Sequence, residues 1–186
     1  KYANGLFFFL AVSFAAAAGL SIFGKFILMV LAEPKYYDAK LVIIPLTLSA
    51  IAYGSFLIMN IGLLITGKTV FASIAIGAAA AVNLLLNYLL IPRFQMLGAA
   101  WATLIAYMLA VALLYFFVQK RYFIAYDLAA IAKLAFLSLT TMAVGSVIEF
   151  ERSPLLDSAF RVFLMAALLA MLFRIFMRRQ VYSYDE

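Results

Sequence analysis

The sequence predicts an all-α membrane protein, a bundle of six transmembrane helices forming one transmembrane domain over residues 1–186. Three observations carry that expectation. Hydrophobic residues make up 69% of the chain and charged residues 12%, with a mean hydropathy of +1.13. A water-soluble domain carries about 45–50% apolar and about 25% charged residues, so this chain has too little polar surface to enclose a core in water. Six apolar stretches are each long enough to cross a ~30 Å hydrocarbon core, which takes roughly 20 helical residues. The breaks between them are short, which makes sequential helices antiparallel neighbours.

The first stretch, near 5–32, is overlong and carries Lys25 close to its end, so it continues as a helix into the interface. After "EPKYYDAK" comes the second, 41–65, with Pro45 close to its start, where a missing N–H costs little. "TGKT" leads into 69–91 and "PRFQML" into 98–118; "QKRYFIAYD" and "EFERSPLLD" precede 128–148 and 158–177. Small residues recur four apart at Ala15 and Gly19, Gly77 and Ala81, and Gly98 and Ala102. Such pairs let helix backbones approach closely, although alanine-rich helices also produce them by chance. Tyr36, Tyr37, Tyr115 and Tyr122, near span ends, read as interfacial anchors.

No cysteine is present, which removes disulfides and thiolate metal sites, and no histidine, which removes imidazole chemistry. Neither a metal nor a cofactor is expected, and no catalytic residue. The net charge of +6 comes from 14 Lys and Arg scattered singly or in pairs between apolar runs, so it marks membrane flanks rather than a nucleic-acid surface. Lys68, Lys120, Arg121, Arg174, Arg178 and Arg179 fall on the side of the two termini, with Lys133 one turn inside it. The other side has Lys25, Lys35, Lys40, Arg93, Arg152 and Arg161, mixed with Glu33, Asp38, Glu149, Glu151 and Asp157. The bias in cations alone is slight, and it places both termini in the cytoplasm. Beginning at Lys1 without a Met, the chain reads as truncated at its N-terminus.

"GLLITGKT", Gly62 to Thr69, fits the phosphate-loop pattern, which needs a soluble β-strand before it and a helix after it. Here one long apolar span ends and the next begins, so the expectation is a tight interhelical turn, with Gly67 for backbone freedom and Lys68 in the headgroup layer. No nucleotide is expected as partner.

The segment "NIGLLITGKT", followed by "AVNLLLNYLLIPRFQMLGAAWATLIAY", resembles the C-terminal half of the polysaccharide flippases of the MATE-like multidrug/oligosaccharidyl-lipid/polysaccharide superfamily. The residues that carry the likeness are Gly67-Lys68-Thr69, Asn83, Leu86-Asn87, Ile91-Pro92, Gly98-Ala99-Ala100, Ala102-Thr103 and Tyr107. "FGKFILMVLAEPKYYDA", with Tyr37 and Ala39, is similar to the family's preceding segment. Gln95 departs from the pattern, since the family usually has Gly after an aromatic. The likeness is good over 23–108 and weak beyond. It implies the C-terminal part of a MATE-like transporter fold, roughly its last six helices, with a missing N-terminal lobe as partner. The implied activity is export of lipid-linked oligosaccharide across the bacterial inner membrane. A drug/cation antiporter or peptidoglycan-precursor flippase of the same superfamily, or a non-transporting scaffold for glycan synthesis, stay open as alternatives.

Such export needs a polar cavity for the glycan, cations for a pyrophosphate and a lipid-facing slot. No Asp or Glu falls inside the six expected spans. Lys25, Lys133, Arg161 and Arg174 lie within about two turns of a span end, where they snorkel to the headgroups or line a cavity for anionic lipid. Asn83 and Asn87 share a helical face in mid-membrane, as glue to another helix or as substrate lining. The candidate substrate-pathway residues are therefore Asn83, Asn87, Lys25 and Lys133. Thr140 and Thr141 are expected to bond their own helix.

Overall fold

Apolar runs of this length leave backbone N–H and C=O groups little to bond except one another, and the α-helix is the local solution. A computed structural model of the chain describes residues 2–121, 123–148 and 154–184, the side chains of 2, 154 and 177–184 excepted. The expected anchor Tyr122 and most of the break at "EFERSPLLD" lie outside the described residues. The elements are α1 (Tyr2–Leu31), a 3₁₀ helix (Pro34–Ala39), α2 (Lys40–Ile65), α3 (Val70–Gln119), α4 (Leu128–Val147) and α5 (Pro154–Tyr184), with no strand among the described residues. All five α-helices are long and apolar enough to cross a membrane, which makes this a multi-pass membrane architecture. Large apolar side chains such as Leu84, Phe136 and Phe163 stand exposed on their outer faces, as they do where lipid is the solvent.

Where six spans were expected, five helices stand. The expected spans 69–91 and 98–118 belong to one 50-residue element, with Gln95 alone in non-helical geometry at φ 50°, ψ −126°. A straight helix of that length would reach about 75 Å, more than twice a hydrocarbon core. Instead α3 doubles back. The rings of Phe71 and Phe117, near its two ends, lie 5.2 Å apart. Next to the bend, a Cβ on Gly98 would lie 2.6 Å from the Leu90 carbonyl oxygen, so the two arms are pressed together backbone to backbone there. Pro92, three residues before Gln95, lacks an N–H and further weakens the helix at this point.

The chain divides into two compact units, α1 supplying residues up to Leu10 to the first and from Ala11 on to the second. Unit 1 also holds Leu41–Tyr126. Its core is unusually fine-grained: Ala72, Ala75 and Ala79 on one arm of α3, and Ala102, Ala106 and Ala110 on the other, are all buried. Leu114 and Val118 continue the second series at four-residue spacing, which keeps one face inward over four turns. Unit 2 packs the rest of α1 with α4 and α5 around Ile22, Leu134, Met142 and Leu168. Of the small-residue pairs expected to bring helices close, Gly98 does so, Gly19 makes an ordinary contact with Met165, and Gly77 faces open space.

α5 begins four residues before its expected start, and this brings Asp157 into its first turn. The expectation that no carboxylate lies on a span is thereby corrected. The cause is Pro154, whose fixed φ suits the first helical position and starts the helix early.

The torsions of Gln95 match the first central position of a type II′ turn, a position glycine fills at no steric cost. Gln95→Gly should therefore stabilise the chain by about 1 kcal/mol, and Gly98→Ala should destabilise it, in thermal unfolding in detergent micelles. A Gln95→Gly variant that melts lower would contradict the strained turn.

Candidate functional site

The phosphate-loop look-alike resolves into a helix end. Gly67 has φ +67°, its N–H donates to the Leu64 carbonyl at 3.2 Å, and the Lys68 N–H donates to the Leu63 carbonyl at 3.0 Å. That double bond is the Schellman C-cap of α2. The two amides that would face a phosphate are already used, as the expected interhelical turn requires.

The two asparagines of α3 bond first to each other. Asn87 Nδ2 donates to Asn83 Oδ1 at 2.9 Å, along their own helix. The bond across to another helix is not made, because residues four apart on a helix are each other's nearest neighbours. Bonded this way, Asn83 keeps its Nδ2 protons for something else. Asn83 lines a cavity of about 210 Å³ between the two arms of α3, with Ile76, Ala79, Ala80, Thr103, Ala106 and Tyr107. Three alanines leave the space unfilled, while an amide, a hydroxyl and a phenol edge it. Thr103 donates to the Ala99 carbonyl at 2.9 Å, which leaves its oxygen lone pairs as acceptors. The Tyr107 ring is braced 5.1 Å from that of Tyr53 on α2. Every polar group here is uncharged, so the cavity suits hydroxyls and amides rather than ions.

Thr103 and Tyr107 were not singled out as site residues from the sequence. Their four-residue spacing on the helix facing Asn83 was the available signal, but it points inward only once α3 folds back. Among the described residues the buried Oδ1 atoms of Asn60 and Asn87 and the hydroxyl of Ser138 have no hydrogen-bond partner. Thr140 and Thr141 bond carbonyls of their own helix at 2.8–2.9 Å, as expected.

The other two candidates, Lys25 and Lys133, belong to unit 2 and do not line this cavity. Lys25 is half-buried in the second half of α1, and Lys133 is exposed near the start of α4. Unit 2 holds its own polar centre instead. Arg161, expected to snorkel or to line a cavity, is only 3% exposed. Its Nε donates to Asp157 Oδ2 at 2.7 Å and its Nη2 to Asp157 Oδ1 at 3.3 Å. Nη1 donates to the carbonyls of Ile22 on α1 and, at 3.2 Å, Gly145 on α4. Gly145 lies in the last turn of α4, where carbonyls have no helical donor, so the guanidinium caps that helix and meets its negative end. One side chain thus ties three helices together. Snorkelling fails as an account because the carbonyls and the carboxylate supply inside the protein what headgroups would supply outside.

No family model, curated protein or solved structure matches this chain.

Arg161→Leu leaves a part-buried carboxylate and two helix carbonyls without their cation and should cost up to about 3 kcal/mol of stability. Adding Asp157→Leu removes the orphaned charge and should restore much of the loss. Arg161→Lys should also destabilise, because an ammonium cannot match the fork that reaches a carboxylate and two carbonyls at once. Thermal unfolding of the three variants in one detergent checks this, and a double variant no better than the single would sink the ion-pair account.

Proposed function

We propose that this chain is the C-terminal part of a MATE-like transporter that flips lipid-linked oligosaccharide across the bacterial inner membrane. In this reading α3 crosses the membrane twice, giving six passes with both termini cytoplasmic. The observation that carries the proposal is the largely apolar cavity edged by the uncharged polar groups of Asn83, Thr103 and Tyr107. It lies in the helix pair whose residues bear the family likeness, and its amide and hydroxyls match the groups on a sugar. An antiporter would need a carboxylate available to its coupling ion, and in this reading that group would have to come from the missing lobe. Asp157, the only one on the five helices, is held by Arg161.

Ala80→Leu adds bulk to the cavity without removing a hydrogen bond, and Asn83→Leu removes its amide. In vesicles carrying the whole transporter, both should lower translocation of labelled lipid-linked oligosaccharide severalfold while the melting temperature stays near wild type. Unchanged translocation in both variants would overturn the proposal, and joint loss of translocation and stability would assign the cavity to packing instead.

The six-pass reading has its own check. Reporters fused after Glu186 and inserted at Lys120 should be active in the cytoplasm, and one inserted at Gln95 in the periplasm. A cytoplasmic signal at all three positions would remove the double crossing of α3.

A further inference from the structure

Unit 1 contains no Asp or Glu. Its cations therefore have no carboxylate within their own unit, and three of them lie in the segments at the end of it where Phe71 and Phe117 come together. Lys68 sits in the turn between α2 and α3, and its carbonyl accepts from the Phe71 N–H at 3.3 Å. At the far end of α3 the chain returns to the same place. The Arg121 guanidinium lies 3.5 Å from the centre of the Phe71 ring, and its Nη1 reaches the Phe117 carbonyl at 3.4 Å. Lys120 Nζ stands 4.1 Å over the ring of Phe116.

The Arg121 guanidinium and the turn that carries it are held in place. The Gln119 side chain donates to the Ile124 carbonyl at 2.9 Å and accepts from the Ile124 N–H at 3.0 Å, imitating a strand neighbour and closing the turn that contains Lys120 and Arg121. Tyr126, its ring tilted against that of Tyr115 with centres 6.1 Å apart, closes the loop on the other side; burial and the Tyr115 phenol beside it push its own phenol above the ordinary range. A guanidinium stacked on a ring loses little further freedom when it binds, and it presents a planar fork of N–H donors. The rim is apolar: Leu64, Ile65, Val70, Phe116 and Phe123 are all more than half exposed. A soluble anion gains nothing from such a rim, whereas acyl chains do.

We propose that Lys68, Lys120 and Arg121 form a binding site for the phosphate of an anionic phospholipid, with its acyl chains along the exposed side chains of Leu64, Ile65 and Phe116. Arg121 takes two phosphate oxygens in its fork, and the two ammonium groups neutralise the remaining charge as point contacts. This site is separate from the cavity at Asn83 and does not depend on what that cavity binds.

The test uses the whole chain in bilayer discs of phosphatidylcholine containing a minority of phosphatidylglycerol, released into mild detergent and weighed intact with its retained lipid. Wild type should retain phosphatidylglycerol in preference to phosphatidylcholine. Each cation near a membrane surface is worth roughly fivefold in such a preference, so Arg121→Gln should lose at least that factor, and Lys68→Gln and Lys120→Gln a further factor of that size each. Arg93→Gln, which removes a cation of the same unit beside the Gln95 bend, should change nothing. Equal retention of the two lipids, or equal loss in Arg93→Gln, would overturn the site. Were inorganic pyrophosphate to raise the melting temperature in phosphatidylcholine alone, with no phosphatidylglycerol preference, the lipid assignment would also fall. Arg121→Lys guards against a misfolded Gln variant, because it keeps the charge without the fork; full preference in that variant would refute the stacked-fork geometry.

Discussion

Hydrocarbon offers no hydrogen bonds, and the rest of this structure follows from how the chain copes with that. Helices satisfy their own interiors, so the difficulty concentrates at their ends and at every polar side chain between. Most such places have a specific answer, the buried Oδ1 atoms of Asn60 and Asn87 and the Ser138 hydroxyl being the exceptions among the described residues. The end of α2 is closed by the Gly67 and Lys68 amides, the end of α4 by a guanidinium from α5, and the chain after α3 by the Gln119 amide. Hydroxyls at Thr47, Ser55, Thr103 and Thr140 turn back onto carbonyls three or four residues earlier. The fold is a solution to a bonding problem more than to a packing one.

Arg161 shows why this particular residue type appears. An ammonium could pair with Asp157, but it could not reach a carboxylate and two carbonyls on separate helices from one position. A planar guanidinium with five donors can. Because the carboxylate is one turn earlier on the same helix, the pair needs neither α1 nor α4 for its geometry, and the desolvation of each charge is offset locally. The carbonyls of Ile22 and Gly145 then supply what the pair lacks. This is a polar centre that joins helices, and it explains how unit 2 tolerates a charge deep within it.

How legible was all this in the sequence? The helices themselves were, because runs of twenty apolar residues bounded by charges admit little else: α2 and α4 match their expected bounds within one residue at each end. The break at "PRFQML" was visible too, but its form was not. Gln95 takes a positive φ only because Gly98 allows the returning arm to touch Leu90, and the contact is between residues eight apart that no helical periodicity brings together. Arg161 was misjudged for a similar reason. From sequence it was a cation near a span end, and its burial depends on carbonyls from two other helices. For Asn83 and Asn87 the shared face was read correctly. Their mutual bond is one that residues four apart on any helix can make, and it competes directly with a bond to another helix.

The two units deal with charge in opposite ways, and the composition of their segments explains the contrast. Unit 2 contains acids and buries one with its cation. Unit 1, with none, has nothing to pair a cation with internally, so its cations are confined to its ends while its interior is built from alanine. Small residues let the two arms of α3 approach closely at Gly98, but two turns farther along, where Ala79 and Ala106 face a wider gap, they leave a cavity unfilled. Larger side chains there would have filled it at some gain in buried apolar area. A bend that forces the arms together at one end and small residues that keep them from filling the middle thus produce, from one compositional choice, both a tight hairpin and an opening edged by Asn83, Thr103 and Tyr107.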